Sequence, residues 1–455
     1  MTDPVTVFTF PQPTINGPLH VGHLSGPYLA ADIAARAARA RGERVVVTTG
    51  LDVHQNYVLT RAEREGIEVE MMTADFRDDI KDTYRLARIG FDYFTDPLGD
   101  EHTPIIRHLM NHLVATGAAP LREVTLHACA DCGRTLHESY LSGLCGECKA
   151  PAAGGACEQC GTFTQVDTMV DPVCGRCGGE PRPFTATVPV LRMEDHREAL
   201  IATWLRADLP PTVRDLIDRT LRSGLPEIAL AYPTNWGIEG DGPLTGLRIG
   251  PYTEIALSDL YGVARAVDPD ADDVTGYLAA LGRVDHLWHF LGLDNAFWYA
   301  LYWPAVWAAA GVSRLPLAGL VVNEFYTFDG EKFSTSRNHG ITATELLRAA
   351  DPSIVRLFLA WDRPDRYRSD FTFNSFRAFA DRVEPLLAGV HRVSEPLDPA
   401  LAAIERARGE SALRPSGFDL PLAVRSLLTL LAGGVQDTGS LRAALTGQCS
   451  DRARE

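Results

Sequence analysis

His20 and His23 stand three residues apart, with only Val21 and Gly22 between them. Side chains at that spacing share one face of a helix, so both imidazoles can reach the same phosphate. Gly22 removes a side chain where a flat ligand could lie against the backbone. Far downstream, Lys332-Phe333-Ser334-Thr335-Ser336-Arg337 sets a cation among hydroxyls on a loop that could approach a triphosphate. A third group is made of thiols. Eight of the nine cysteines form four Cys-x-x-Cys pairs: Cys129 and Cys132, Cys145 and Cys148, Cys157 and Cys160, Cys174 and Cys177. Tetrahedral zinc takes four soft ligands, so eight thiolates imply two structural Zn²⁺ sites, closed and without an open catalytic position. Redox-active pairs are the competing reading. Gly133, Gly161 and Gly178 directly follow a pair, which suits the tight turn that aims backbone N–H groups at sulfur. Spacing leaves the pairing open, because sequential and nested arrangements both close reasonable loops. His127, His137 and Cys449 read as ordinary residues.

The elements that must position these groups can be read in order. Val5 to Phe10 is an apolar, β-branched and aromatic run, so it reads as a buried strand. Pro11, Pro13, Asn16, Gly17 and Pro18 punctuate a loop. Leu19 to Arg41 reads as one helix ended by Gly42. A helix start carries unpaired N–H groups and a positive dipole end, which favour an anion beside the histidines. Val45 to Thr49 is a second strand, ending at Gly50-Leu51-Asp52. Strand, helix and strand at this spacing make a βαβ unit and a parallel sheet. Ligands of such sheets sit beyond the carboxyl ends of the strands, where His20 and Asp52 would both lie.

Residues 56 to 118 read as helices covering the first half of the sheet, with Arg61 to Glu65 a solvated face. The chain should return to the sheet within 226 to 322, with Leu320 to Val322 as a late strand. Phe297 to Pro304 is an aromatic helix whose rings read as core. Asp329-Gly330 is a turn signal ahead of Lys332. Residues 386 to 455 hold short helical patterns such as Leu420 to Leu431.

At 455 residues the chain has room for two or three domains. With 45% hydrophobic and 22% charged residues it has the composition of an ordinary globular protein. No run of about 18 apolar residues occurs, so no membrane span is expected. The opening residues lack a basic, apolar leader pattern, which makes the cytoplasm the expected location. A formal charge of −16 argues against a general coat for DNA or RNA, while leaving room for a local groove for one RNA end.

The segments His20 to His23 and Lys332 to Arg337 together resemble the HIGH and KMSKS signatures of class I aminoacyl-tRNA synthetases. The wording is most similar to the methionyl-tRNA synthetase family in its archaeal-type, two-knuckle form. Gly50 to Gln55 resembles the family's GxDEHG segment, Tyr232 to Ile238 its return-strand region, and Phe290 to Asn295 its FxGKDN segment. The likeness runs from about Val5 to about Val390. It implies an α/β fold: a Rossmann-type parallel sheet, split by a zinc-knuckle insertion and followed by a short C-terminal helical region. The implied divisions are 1–118 and 226–322 for the two halves of the catalytic domain and 119–225 for the insertion. Residues 323–385 would carry the KMSKS-like loop and stem contacts, and 386–455 a truncated helical appendage.

The resemblance also implies an activity, the formation of an aminoacyl adenylate from an amino acid and ATP with Mg²⁺. His20, His23 and Lys332 would be catalytic. Gly22, Asn16, Asp294, Ser334 and Ser336 would bind ATP. Asp52 would hold the substrate ammonium. Nested pairing is implied for zinc, with Cys145, Cys148, Cys157 and Cys160 inside and Cys129, Cys132, Cys174 and Cys177 outside. The departures bear on the side chain accepted. Gln12 and Thr14 replace the family's pocket Leu and Tyr, Ala256 and Val263 fall where its pocket Trp and Tyr stand, and Tyr299 falls near its pocket His. These residues are expected to line the amino-acid pocket and to select something other than methionine. The Asn and Trp used for anticodon reading have no counterpart, since no Trp follows Trp361. The expected acceptor is a small amine, thiol or peptide, or a tRNA 3′ end. The alternatives are a working tRNA ligase that charges without anticodon contacts, a non-catalytic nucleotide- or amino-acid-binding relative, and a plain nucleotidyltransferase.

Overall fold

Val5 and Val7 point into one apolar core, while Phe8 and Phe10 point into another. A strand buried on both faces belongs in the middle of a parallel sheet, and that is where it lies. A computed structural model describes residues 4–333, 340–365 and 367–448, and for Lys332 the backbone alone. Ser334, Ser336 and Cys449 lie outside the described residues. The sheet holds Val5–Thr9 (β1), Arg44–Gly50 (β2), Tyr93–Thr95 (β3), Val284–Gly292 (β4) and Leu317–Asn323 (β5). Its order is β5-β4-β1-β2-β3, and every pairing is parallel. The expected α/β class therefore holds.

Three local expectations need correction. The run from Leu19 to Arg41 is not one helix. A single turn, Val21–His23, leads through a widened turn, Leu24–Tyr28, into Leu29–Ala40. Pro27 has no N–H to give and its ring crowds the preceding turn, so regular bonding cannot run through it. Gly26 lets the end of β5 approach, since a Cβ there would stand 3.0 Å from the Asn323 side chain. Residues 56 to 118 are not wholly helical either, because β3 adds a three-residue edge strand too short to show a period. The return to the sheet is β4; Ala231–Tyr232 instead pairs with Arg248–Ile249 in a separate ribbon.

Between β3 and β4 the chain leaves the sheet along a long antiparallel pair, Leu121–Cys129 with Pro181–Arg192. The thiols sit at its far end. After β5, Tyr326–Phe328 and Glu331–Lys332 form a hairpin with Asp329 and Gly330 both at positive φ, 48° and 82°. Helices Leu420–Ala432 and Leu441–Thr446 then pack into the same core as Phe8 and the helix Leu29–Ala40. No described helix is long and apolar enough to cross a membrane.

One guanidinium fastens these late helices to the sheet's cover. Arg356 is fully buried and donates to Asp32 Oδ2 at 2.7 Å and to the carbonyls of Ala87, Ala444 and Leu445 at 2.7, 3.0 and 3.0 Å. A buried charge is tolerated only when paired and hydrogen-bonded, and removing one partner strands the others. Arg356→Met is expected to cost about 3–5 kcal/mol of stability. Urea unfolding followed by circular dichroism checks this; a midpoint equal to that of the parent protein would show that the contact contributes nothing.

Candidate active site

Beyond the carboxyl end of β1 the backbone passes Phe10 and Pro11 and runs through Gln12, Pro13 and Thr14. There Thr14 forms a bridge with Asp52, which follows β2. Thr14 Oγ1 donates to Asp52 Oδ2 at 2.7 Å. The two residues thus close one end of a cleft of about 580 Å³. That volume suits a nucleotide with a small partner. Gln12, Thr14, His23, Asp52, Asp294 and Tyr299 all line it.

The histidine turn has a defined hydrogen-bond pattern. The His20 backbone N–H donates to His23 Nδ1 at 3.1 Å. Nδ1 is then the acceptor, so a neutral His23 carries its proton on Nε2. Burial lowers the His23 pKa to about 4, which keeps the ring neutral at pH 7. The rings of His20 and His23 stack at 3.7 Å, and Phe333 stacks on the other face of His20 at 4.4 Å, nearly parallel at 4°. A Cβ on Gly22 would meet the His20 ring at 3.0 Å and Phe333 at 3.4 Å, so glycine is what lets the layers close. Behind them the Ala343 N–H donates to the Leu19 carbonyl at 2.7 Å. The two distant signature segments thus meet, although Ser334 and Ser336 lie outside the described residues.

Asp52 is 4% exposed, and burial raises its pKa well above the carboxylate range against the pull of Thr14. Nearby Glu254 behaves oppositely. Burial alone would raise it, but His54 and His102, each 2.9 Å from Oε1, hold it down at about 2. A ligand ammonium would give Asp52 a countercharge.

Asn16 borders an adjoining recess with His23 and Tyr57. Arg61 was expected on a solvated face; instead its guanidinium donates to the Asn16 carbonyl and steadies this loop. Asp294 sits in the turn Leu293–Asn295 just past β4. Ala256 and Val263 are fully buried and are not among the lining residues. The Ala256 carbonyl accepts from Trp307 Nε1 at 2.9 Å. The same helix, Pro251–Val267, reaches the cleft through Tyr252 and Ile255 instead. Tyr57, Tyr252, Trp298, Trp303 and Glu158 also line the cleft and were not singled out from the sequence.

The thiols fall into two quartets, Cys129, Cys132, Cys174 and Cys177, and Cys145, Cys148, Cys157 and Cys160, with all sulfurs of a set within 4.8 Å. This is the nested arrangement. Sulfur pairs stand at 3.4 and 3.8 Å in the first set and 3.7 and 3.7 Å in the second. A tetrahedral zinc with bonds of about 2.3 Å sets its sulfurs about 3.8 Å apart, so both sets fit the ion. Each knuckle ends in a left-handed residue, Gly133, Lys149, Gly161 or Gly178, at φ 72°, 62°, 74° and 74°. The N–H of that residue donates to the carbonyl of the first cysteine at 2.8–3.0 Å.

The family model for tRNA synthetases class I (M) matches residues 6–390. The methionine--tRNA ligase of Thermoplasma volcanium is 28% identical over 366 residues, 79% of this chain and 67% of that one. The Pyrococcus furiosus methionine--tRNA ligase is 30% identical over 385 residues, 80% of this chain and 52% of that one. The chain thus spans roughly half to two thirds of the length of such relatives. Among solved structures, Mycobacterium tuberculosis methionyl-tRNA synthetase in complex with methionyl-adenylate superposes with a TM-score of 0.69 at 18% identity. It covers 97% of this chain and 88% of its own, a likeness of fold.

Metal analysis of the purified protein is expected to return about two zinc ions per chain, one for each quartet. Cys148→Ser should lose about one of them and Cys132→Ser the other. A metal-free protein that unfolds at the same temperature would refute the structural role.

Proposed function

The chain belongs to the class I (M) tRNA synthetases, and from that membership we propose that it activates an amino acid with ATP. The substrate carboxylate oxygen attacks the α-phosphorus, the bond to the bridging oxygen of the β-phosphate breaks, and pyrophosphate leaves. An aminoacyl adenylate remains. The nucleophile comes with the substrate, so the protein has only to align two anions and stabilise spreading charge.

The observation that carries this reading is the stack of Phe333 on His20. It keeps the Lys332 segment beside the imidazole pair. His23 then offers a neutral Nε2–H to a phosphate oxygen, and His20 stands next to it. The Lys332 amine neutralises the leaving pyrophosphate, together with magnesium brought in by ATP. Gly22 serves the nucleotide by leaving room for the ring stack beside it, and Asn16 borders the adjoining recess; Asp294 serves its ribose or the amino-acid end, and Ser334 and Ser336 its phosphates. Asp52 receives the α-ammonium. Gln12, Thr14 and Tyr299 form a polar wall where a thioether would need an apolar one, which supports a substrate other than methionine.

The acceptor in this reading is a small amine, thiol or peptide. Transfer to a tRNA 3′ end is the second reading, favoured by the match over residues 6–390.

Amino-acid-dependent exchange of labelled pyrophosphate into ATP tests the reading. Lys332→Ala is expected to lower kcat on the order of 100-fold with the ATP KM changed less than about threefold, because its contact tightens as the transition state forms. Asp52→Asn should instead raise the amino-acid KM by more than about tenfold. Absence of exchange across all proteinogenic and diamino acids would overturn the proposal.

A further inference from the structure

Behind the part of the cleft wall formed by Gln12 and Trp303 lies a buried carboxylate that the activation step leaves unused. Asp259 is 3% exposed. One oxygen accepts from Gln12 Nε2 at 2.9 Å and the other from Trp303 Nε1 at 2.6 Å. Both donors are neutral. Burial raises its pKa to about 6 against the pull of those two bonds. His289, whose ring packs 4.8 Å from Tyr299, brings no cation. Burial lowers its pKa to about 3, and its Nδ1 is taken by Thr9 Oγ1 at 2.5 Å. A buried carboxylate held only by neutral groups is a costly arrangement unless a cation arrives.

Gln12 adds a second, independent sign. It is 6% exposed and lines the cleft. Its Nε2 is committed to Asp259, which fixes the amide, and its Oε1 is buried with no partner. An orphaned buried carbonyl calls for a donor. Tyr299 and Trp303, stacked at 4.9 Å, form the wall beside it. A thioether or hydrocarbon side chain has neither a proton to give nor a charge to match.

We propose that the amino acid taken by this cleft carries a protonated side-chain amine, which donates to Gln12 Oε1 and takes Asp259 as its countercharge. The inference rests on the activation reading for its assay, though not for its binding geometry. Asp52 and Asp259 then serve the two ends of one diamino acid, the α-ammonium and the side-chain ammonium.

Two measurements on the full chain separate the possibilities. The first is pyrophosphate exchange with L-2,4-diaminobutyrate, L-ornithine, L-lysine, L-glutamine, L-norleucine and L-methionine. The second is calorimetric binding of the same amino acids without ATP. One of the three amines is expected to exceed methionine and norleucine on the order of 100-fold in kcat/KM and to bind most tightly, since a site built for a donor rejects analogues that lack it. Asp259→Asn and Gln12→Met should each weaken that amine more than about tenfold while leaving the ATP KM within about threefold. If Asp259→Asn fails to fold, Gln12→Met alone decides, because it removes the acceptor and keeps the volume. Exchange that is best with methionine, norleucine or glutamine overturns the amine assignment and leaves activation standing. Tight amine binding without any exchange overturns activation and leaves the assignment standing. No binding and no exchange overturns both.

Discussion

The site depends on one stack of three rings. His23, His20 and Phe333 lie face to face, and the middle ring joins the start of the fold to a hairpin that arrives after the whole sheet is complete. The stack needs Gly22 beneath it and the bond from the His20 backbone to His23 Nδ1 within it. That bond fixes which nitrogen of His23 carries a proton and so which way it can donate. Burial then removes the ring's charge. A neutral donor with a set direction can orient an acceptor oxygen without adding charge.

Much of this was legible because it is local. The strand from Val5, the proline-rich loop and the paired histidines lie within one short stretch, so sequence order is already spatial order. The four cysteine pairs are local in the same way, and the knuckle turn repeats four times with the same left-handed residue, Lys149 replacing glycine once. The pairing of the knuckles was not legible from spacing, because it is set by the strands between them. The lining of the cleft was legible only in part. Gln12, Thr14 and Tyr299 do line the cleft, but Ala256 and Val263 do not. The helix Pro251–Val267 is buried along almost its whole length, so no apolar stripe distinguishes one side from another. Asp259 could not be picked out for the same reason; only its contacts with Gln12 and Trp303, remote in the chain, give it meaning. The break at Gly26 and Pro27 was readable in principle, since proline inside a helical run is a breaker.

The acidic groups under the cleft show how environment assigns roles. Asp52, Glu254 and Asp259 are all buried carboxylates within or beside one pocket. Glu254 has two imidazoles and is settled. Asp52 has one hydroxyl and Asp259 two neutral N–H donors.

The hairpin that supplies the inner thiols also touches the cleft. Gly155, at φ 110°, presses so closely on the stacked rings of Tyr252 and Trp298 that a Cβ would stand 3.1 and 3.2 Å from them. Ala156 and Glu158, on either side of the ligand Cys157, are part of the cleft wall. An ion held in that quartet would therefore act as a rivet for the pocket as well as for its own loop. Chelation or oxidation of the sulfurs would reach the cleft by mechanical slackening, and would make the shape of the pocket sensitive to the metal and thiol status of its surroundings.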